Sequence, residues 1–195
     1  MIAGVPETFA IESGLTEAYE RLGFRGLGYF VIHVCSHRYG VFAPDATMLA
    51  VLLDRVARRI DNRGRHTAPF AAFDAAEVAR SIIEALYTEE PERQKYLDMS
   101  PAELHRLVGT NDLMWAPNGD EAFDDGSWVL QFDVGDRVRL IAFKRDEGHP
   151  DPETLTDIWL PADHYYKILR EWYENFEKEW ASAPKVSDGN DDIPL

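Results

Sequence analysis

Trp128-Val129-Leu130-Gln131-Phe132-Asp133-Val134, then Gly135-Asp136, then Arg137-Val138-Arg139-Leu140-Ile141-Ala142-Phe143: this stretch decides the fold. Trp128, Leu130 and Phe132 alternate with Val129, Gln131 and Asp133, the period of two that a strand requires. Gly135-Asp136 falls where a tight turn must lie, and Val138, Leu140 and Ala142 carry the alternation back. The segment predicts an antiparallel β-hairpin. Upstream, Gly28 to Cys35 is rich in β-favouring side chains (Tyr29, Phe30, Val31, Ile32, Val34) and apolar on both faces, which predicts a central strand covered on each side. Phe9 to Glu12 reads as a short strand, Tyr39 to Phe42 as a hairpin partner, and Ile158 to Leu160 as a further strand before Pro161.

Between and after the strands the period changes to that of a helix. Asp45 and Thr47 offer an N-cap for a helix running to about Ile60, with Leu49, Leu52, Leu53, Val56 and Ile60 on one stripe. Asp74 with Glu77 opens a second helix, whose inner face is Val78, Ile82 and Leu86. Ser100, Pro101 and Glu103 repeat the capping device, and Gly109 reads as the stop. Asp163 is expected to cap a long last helix striped with Tyr165, Ile168, Leu169, Trp172, Phe176 and Trp180. Beyond Ala181 all periodicity is lost. The chain therefore predicts a single α+β domain over residues 1–181, mainly antiparallel sheet with packed helices, and a disordered acidic tail over 182–195.

Charge narrows the function. The 195 residues hold 35 acidic and 20 basic side chains, a net charge of −15. An affinity built on neutralising phosphates or anionic lipid is excluded on that balance, so neither nucleic acid nor membrane is an expected partner, whereas a basic protein is. Nearly half of the charge lies between Thr88 and Asp125, where Glu89, Glu90, Glu92, Asp120, Glu121, Asp124 and Asp125 form two acidic loops. In the second loop Phe123 and Trp128 interleave with the acids, the composition of an acidic rim around an aromatic anchor. These seven acids are the candidate partner-binding residues. Arg55, Arg58 and Arg59 run against the current, and read as a solvated helix face in preference to an anion site.

Catalytic signatures are missing. There is no glycine-rich phosphate loop joining strand to helix, no Gly-x-Ser-x-Gly and no His-Glu-x-x-His. His33, Cys35 and His37 at i, i+2 and i+4 would share one strand face, but they spread over about 13 Å, too far for one tetrahedral ion without a sharp bend. A half-buried strand face is therefore expected, with no metal and no cofactor. The single cysteine allows no internal disulfide, and the first ten residues lack the features of a secretory signal, so a cytoplasmic location is expected. Two other readings stay open on residues alone: a small cytosolic enzyme with scattered catalytic groups such as His33 or His37, and an acidic adaptor protein.

The opening Met1-Ile2-Ala3-Gly4-Val5-Pro6 with Phe9-Ala10-Ile11 resembles that of the bacterial immunity protein family numbered 42, in which an acid usually stands where this chain has Val5. Gly28 to Ile32, Gly135 to Leu140 and Asp157-Ile158-Trp159-Leu160 are similar to its later strands, while Ala43 to Gly126 carries little of the resemblance. Such proteins are encoded beside the toxins of polymorphic toxin systems. The resemblance implies a non-enzymatic cytosolic protein that binds and neutralises one cognate toxin. It carries over no functional residue, because toxin-contacting positions vary between relatives.

Overall fold

The computed structural model describes residues 1–87, 93–117 and 119–186. Four strands open the chain: β1 (Ile2–Val5), β2 (Phe9–Tyr19), β3 (Gly26–Val34) and β4 (His37–Tyr39). The two-residue β5 (Thr47–Met48) leads into α1 (Leu49–Asp61), followed by α2 (Ala75–Tyr87) and α3 (Pro101–Thr110). Next come β6 (Met114–Ala116), a 3-10 turn at Glu121–Phe123, β7 (Ser127–Val134), β8 (Arg137–Asp146), β9 (His149–Pro150) and β10 (Thr156–Pro161). The long α4 (Ala162–Ser182) and a short β11 (Lys185–Val186) complete the described chain. The first sheet has the order β1-β2-β3-β4, with β5 on β3 and β11 on β2; the second runs β10-β8-β7-β6, with β9 on β8. This is the α+β architecture the sequence predicts.

The β7–β8 hairpin forms in the expected register, Val134 opposite Arg137, across a two-residue turn in which Gly135 alone has a positive φ (61°). That pattern is the type II′ turn, which suits the twist of the flanking strands. The hairpin differs from expectation in being buried on both faces. Val129, Val138, Leu140 and Ala142 point into a core shared with α1, α4 and the first sheet. Trp128, Leu130, Phe132, Ile141 and Phe143 enter a second core with α2, α3 and Phe70. The molecule is thus stacked as first sheet, α1 with α4, second sheet, then α2 with α3. β3 is central within its sheet as predicted. Phe30, Ile32 and Val34 enter the first core; on the other face Val31 is fully buried as well, while Tyr29 and His33 are half-buried.

The aromatic stripe of α4 fills the space between the sheets. Tyr165 and Phe9 rings lie 4.9 Å apart, Trp172 stacks on Phe176 at 5.4 Å, and the Trp172 indole donates to Ser13 Oγ at 3.0 Å. Pro161 and Met48 occupy the N-cap positions of α4 and α1 without a side-chain cap. The expected caps are used elsewhere: Thr47 donates to Asp120, and Asp163 pairs with Arg63 at 2.5 Å. The capping box Ser100/Glu103 and the Asp74 cap form as read. The tail expectation needs correction at its start. The Trp180 indole donates to the carbonyls of Tyr19 and Arg25 at 3.1 and 2.7 Å, pinning the end of α4. Lys185 and Val186 then pair in parallel with Ala18 and Tyr19, so order continues past Ala181, while 187–195 lie outside the described residues.

Tyr39 joins the two sheets. Fully buried at the end of β4, its hydroxyl lies 2.6 Å from the Thr154 carbonyl, 2.9 Å from Thr156 Oγ1 and 3.2 Å from the Ala142 carbonyl. Burial pushes its phenol up to about 12, so it stays a neutral donor at any ordinary pH. Replacing it by Phe leaves these acceptors facing a ring with no water to substitute. Urea unfolding of Tyr39→Phe is expected to show a loss of about 1–2 kcal/mol with an unchanged denaturant slope.

Candidate functional site

The acids of the second loop divide into two kinds. Asp120 accepts from the backbone N–H of Ala122 at 2.9 Å and from the Thr47 hydroxyl at 2.6 Å, capping the 3-10 turn and tying it to β5 at the start of α1. Asp125 pairs with Lys144 Nζ at 2.7 Å and accepts from the Ser127 N–H. Glu121 and Asp124 face outward. Phe123 and Trp128 are each 2% exposed, one in each core, so the alternation of acid and aromatic is an alternation of outside and inside. No exposed aromatic stands within this loop. Glu89, Glu90 and Glu92 lie outside the described residues.

His33, Cys35 and His37 do not share a strand face. Cys35 and Ser36, with φ of 51° and 67°, form the two-residue turn between β3 and β4. His33 stands opposite Arg38 and His37 opposite Val34, which puts the two imidazoles on opposite faces of the sheet. His33 Nε2 lies 2.8 Å from Glu12, which also accepts from Tyr29 at 3.2 Å. Burial raises the Cys35 thiol pKa, assisted by Asp157. Among the described residues no group of three His, Cys, Asp or Glu side chains has the arrangement of a metal site.

A groove forms where α1, α2, α3 and the β6 loop meet. Its broad part, about 480 Å³, is lined by Tyr87, Val108, Met114, Pro117 and Gly119 among others. A second hollow of about 260 Å³ lies among Arg55, Arg58, Asn62, Gly109 and Asp112. The end of α3 shapes both. The helix closes with a Schellman motif: Leu113 N–H reaches the Val108 carbonyl at 3.0 Å, Asp112 N–H reaches that of Gly109 at 3.3 Å, and Asp112 takes the left-handed position at φ 46°. The stop is therefore Asp112, and Gly109 lies inside the helix. Tyr87, a residue 46% exposed, has its ring held edge-on to Trp128 at 5.1 Å with the Arg145 guanidinium 5.9 Å from the ring centroid.

The sequence model of the family described as Immunity protein 42 matches residues 1–175. The chain belongs to the Immunity protein 42 family. The match runs through the middle of the chain, where the sequence signatures are sparse. The crystal structure of CdiI from Burkholderia dolosa AUO158 is similar in fold, with a TM-score of 0.57 and 14% identity over 90% of this chain and 99% of that one. No curated protein matches the sequence. Among the described residues no helix is long and apolar enough to cross a membrane.

In this Immunity protein 42 chain the groove is backed by a buried polar network that the sequence reading missed. Arg59, read as solvent-facing, is 1% exposed: its Nη1 donates to Gln131 Oε1 at 3.0 Å and to the Asp112 carbonyl at 3.2 Å, and its guanidinium lies 4.9 Å from the Trp115 ring. Leu52, Val56 and Arg59 stand at i, i+4 and i+7, so helical spacing alone placed Arg59 beside the core stripe. Tyr165 donates to Gln131 at 2.6 Å, and Tyr166 to Asp133 at 2.9 Å. Asp133 also accepts from the Gly64 N–H at 2.6 Å. His66, fully buried, turns Nδ1 toward the carbonyls of Asn111 and Asp112 at 3.1 and 3.0 Å, so Nδ1 carries the proton.

Burial, reinforced by Arg59, pushes the His66 pKa below its ordinary 6.5, against the opposing pull of Asp133 and the Asn111 carbonyl. The folded state refuses a proton that the unfolded state accepts. Stability is thus complete above about pH 6.5 and falls as pH drops below it, by at most about 1.4 kcal/mol per pH unit from this group. Urea midpoints at about pH 7.5 and pH 5.5 should differ less for His66→Gln than for the parent chain; equal differences would remove His66 from the account.

Proposed function

We propose that this chain is a non-enzymatic immunity protein that binds one cognate toxin in the cytoplasm and blocks it through an acidic face beside the α3 groove. Membership of the Immunity protein 42 family supports the class. The observation that carries the surface is that Tyr87 and Gly119 line the same groove. Gly119 directly precedes Asp120, so the second acidic stretch adjoins this hollow; Glu89, Glu90 and Glu92 follow Tyr87 in sequence and lie outside the described residues. Glu121 and Asp124 supply outward charge there, while Asp120 and Asp125 hold the loop in shape.

The physical logic is electrostatic steering. A chain of charge −15 attracts a basic toxin surface over a Debye length and disfavours nucleic acid and anionic membrane as rivals. Carboxylates on the face that meets the toxin raise the association rate and fix which partner is accepted more than they raise affinity. Neutralisation then needs only occupancy: the toxin's working surface is covered, and no bond in it is broken.

Glu121→Lys with Asp124→Lys is the sharpest test, since both side chains are exposed and neither forms a side-chain hydrogen bond or ion pair among the described residues. Association with the toxin encoded beside this chain should slow about tenfold at low salt, and the dependence of the rate on salt should flatten. An unchanged rate and an unchanged salt slope would remove this face from the interface. Asp120→Ala and Asp125→Ala, by contrast, should lower thermal stability, because each removes a hydrogen bond that holds the loop.

A further inference from the structure

Gly109 is the one glycine inside an α-helix among the described residues, and none of them requires it. It is not at the left-handed position of the helix end, which Asp112 occupies. A Cβ built on it meets no atom of the described residues within 4 Å, so no packing neighbour demands its small size either. Glycine in a helical turn costs conformational entropy relative to alanine, and one physical use of it is to let another backbone or a ligand come close. Gly109 also lines three adjoining hollows, the two described above and one of about 250 Å³ shared with Leu86, His105 and Met114.

We propose that this groove seats a segment of the cognate toxin that carries an apolar side chain next to a carboxylate, packed directly on the Gly109 turn. The inference rests on the immunity reading and names which part of the toxin the groove accepts. The apolar side chain fits the broad hollow against Val108, Met114 and the exposed ring of Tyr87, a rigid aromatic already fixed by Trp128. The carboxylate fits the smaller hollow, where Arg58 is exposed and free of any ion pair among the described residues, and where Arg55 lines the same wall. A single carboxylate suits this hollow better than a phosphate chain. Asp112 is one of its walls and the molecule around it carries −15, so the net attraction is small, while the cost of taking an anion out of water grows steeply with its charge. The two charge patterns then divide the work: the acidic face draws a basic toxin in, and the arginine hollow accepts only a toxin surface with one acid at the right place.

The test measures stability and toxin binding on the same variants. Gly109→Ala should raise the melting temperature by about 2 °C and weaken toxin binding several-fold, an opposition of sign that a purely structural glycine does not produce. Gly109→Leu, which fills the groove from a solvent-facing turn, should weaken binding about a hundredfold or more with the fold retained by circular dichroism. Arg58→Glu should weaken it about tenfold, and a carboxylate-to-amide change in the docked toxin segment should abolish that difference. Gly109→Leu binding the toxin as the parent does would overturn the inference while leaving the immunity reading intact. A drop in melting temperature for Gly109→Ala would equally overturn it, by showing that the fold needs the glycine. Failure of the parent chain to bind the toxin at all would instead overturn the immunity reading.

Discussion

Burial of the β7–β8 hairpin on both faces is the constraint on which the rest of this structure depends. A hairpin with one wet face would leave Gln131 and Asp133 in solvent. Here α1 and α4 cover them, and each buried polar group must be matched or cost about 1–3 kcal/mol. The match comes from three directions: Arg59 of α1, Tyr165 and Tyr166 of α4, and the Gly64 N–H. Arg59 then reaches on to Asp112, as does His66, and these contacts fix the end of α3 against α1. The groove is the outer surface of that junction. On the other face Arg139 does a similar service: it grips Asp157 through two hydrogen bonds of 2.8 Å and the carbonyls of Ala71 and Phe73, which locks the segment leading into α2.

Features set by local rules were legible in the sequence. The hairpin register, the Ser100/Glu103 capping box and the α4 stripe each depend on residues within a few positions of one another, and each appears as read. Features set by what packs on top were not. Gln131 and Asp133 follow the pattern of a solvent face, and partners far away in sequence, Arg59, the Gly64 N–H and the hydroxyls of Tyr165 and Tyr166, make their burial tolerable. Arg59 was misread because its charge outweighed its spacing. His33, Cys35 and His37 do not share the strand face their spacing predicts, because Cys35 and Ser36 take left-handed turn conformations that a run of β-favouring residues conceals. The groove draws on residues 55–62, 86–87, 105–117 and 119, stretches that no local pattern connects.

Charge acts differently at the two ranges. Over long distances the total dominates, and a net charge of −15 favours the approach of cationic surfaces. At contact distance the individual placements matter: Asp120 and Asp125 are committed to the loop, Glu121 and Asp124 are available, and Arg55 with Arg58 form a small region of opposite sign beside Asp112. A protein that must recognise one basic partner among many gains specificity from such an exception, since a uniformly acidic face would accept any cationic surface.

The central claim is that this Immunity protein 42 chain meets its toxin at the α3 groove and the adjoining loop. Hydrogen exchange of the amides with and without the toxin tests it most directly. The account predicts new protection in the last turn of α3, in residues 112–125 and along the outer turns of α1, with the outer face of the first sheet around Glu12, Tyr29 and His33 unchanged. Protection confined to that sheet face, with the groove amides exchanging as in the free protein, would contradict it.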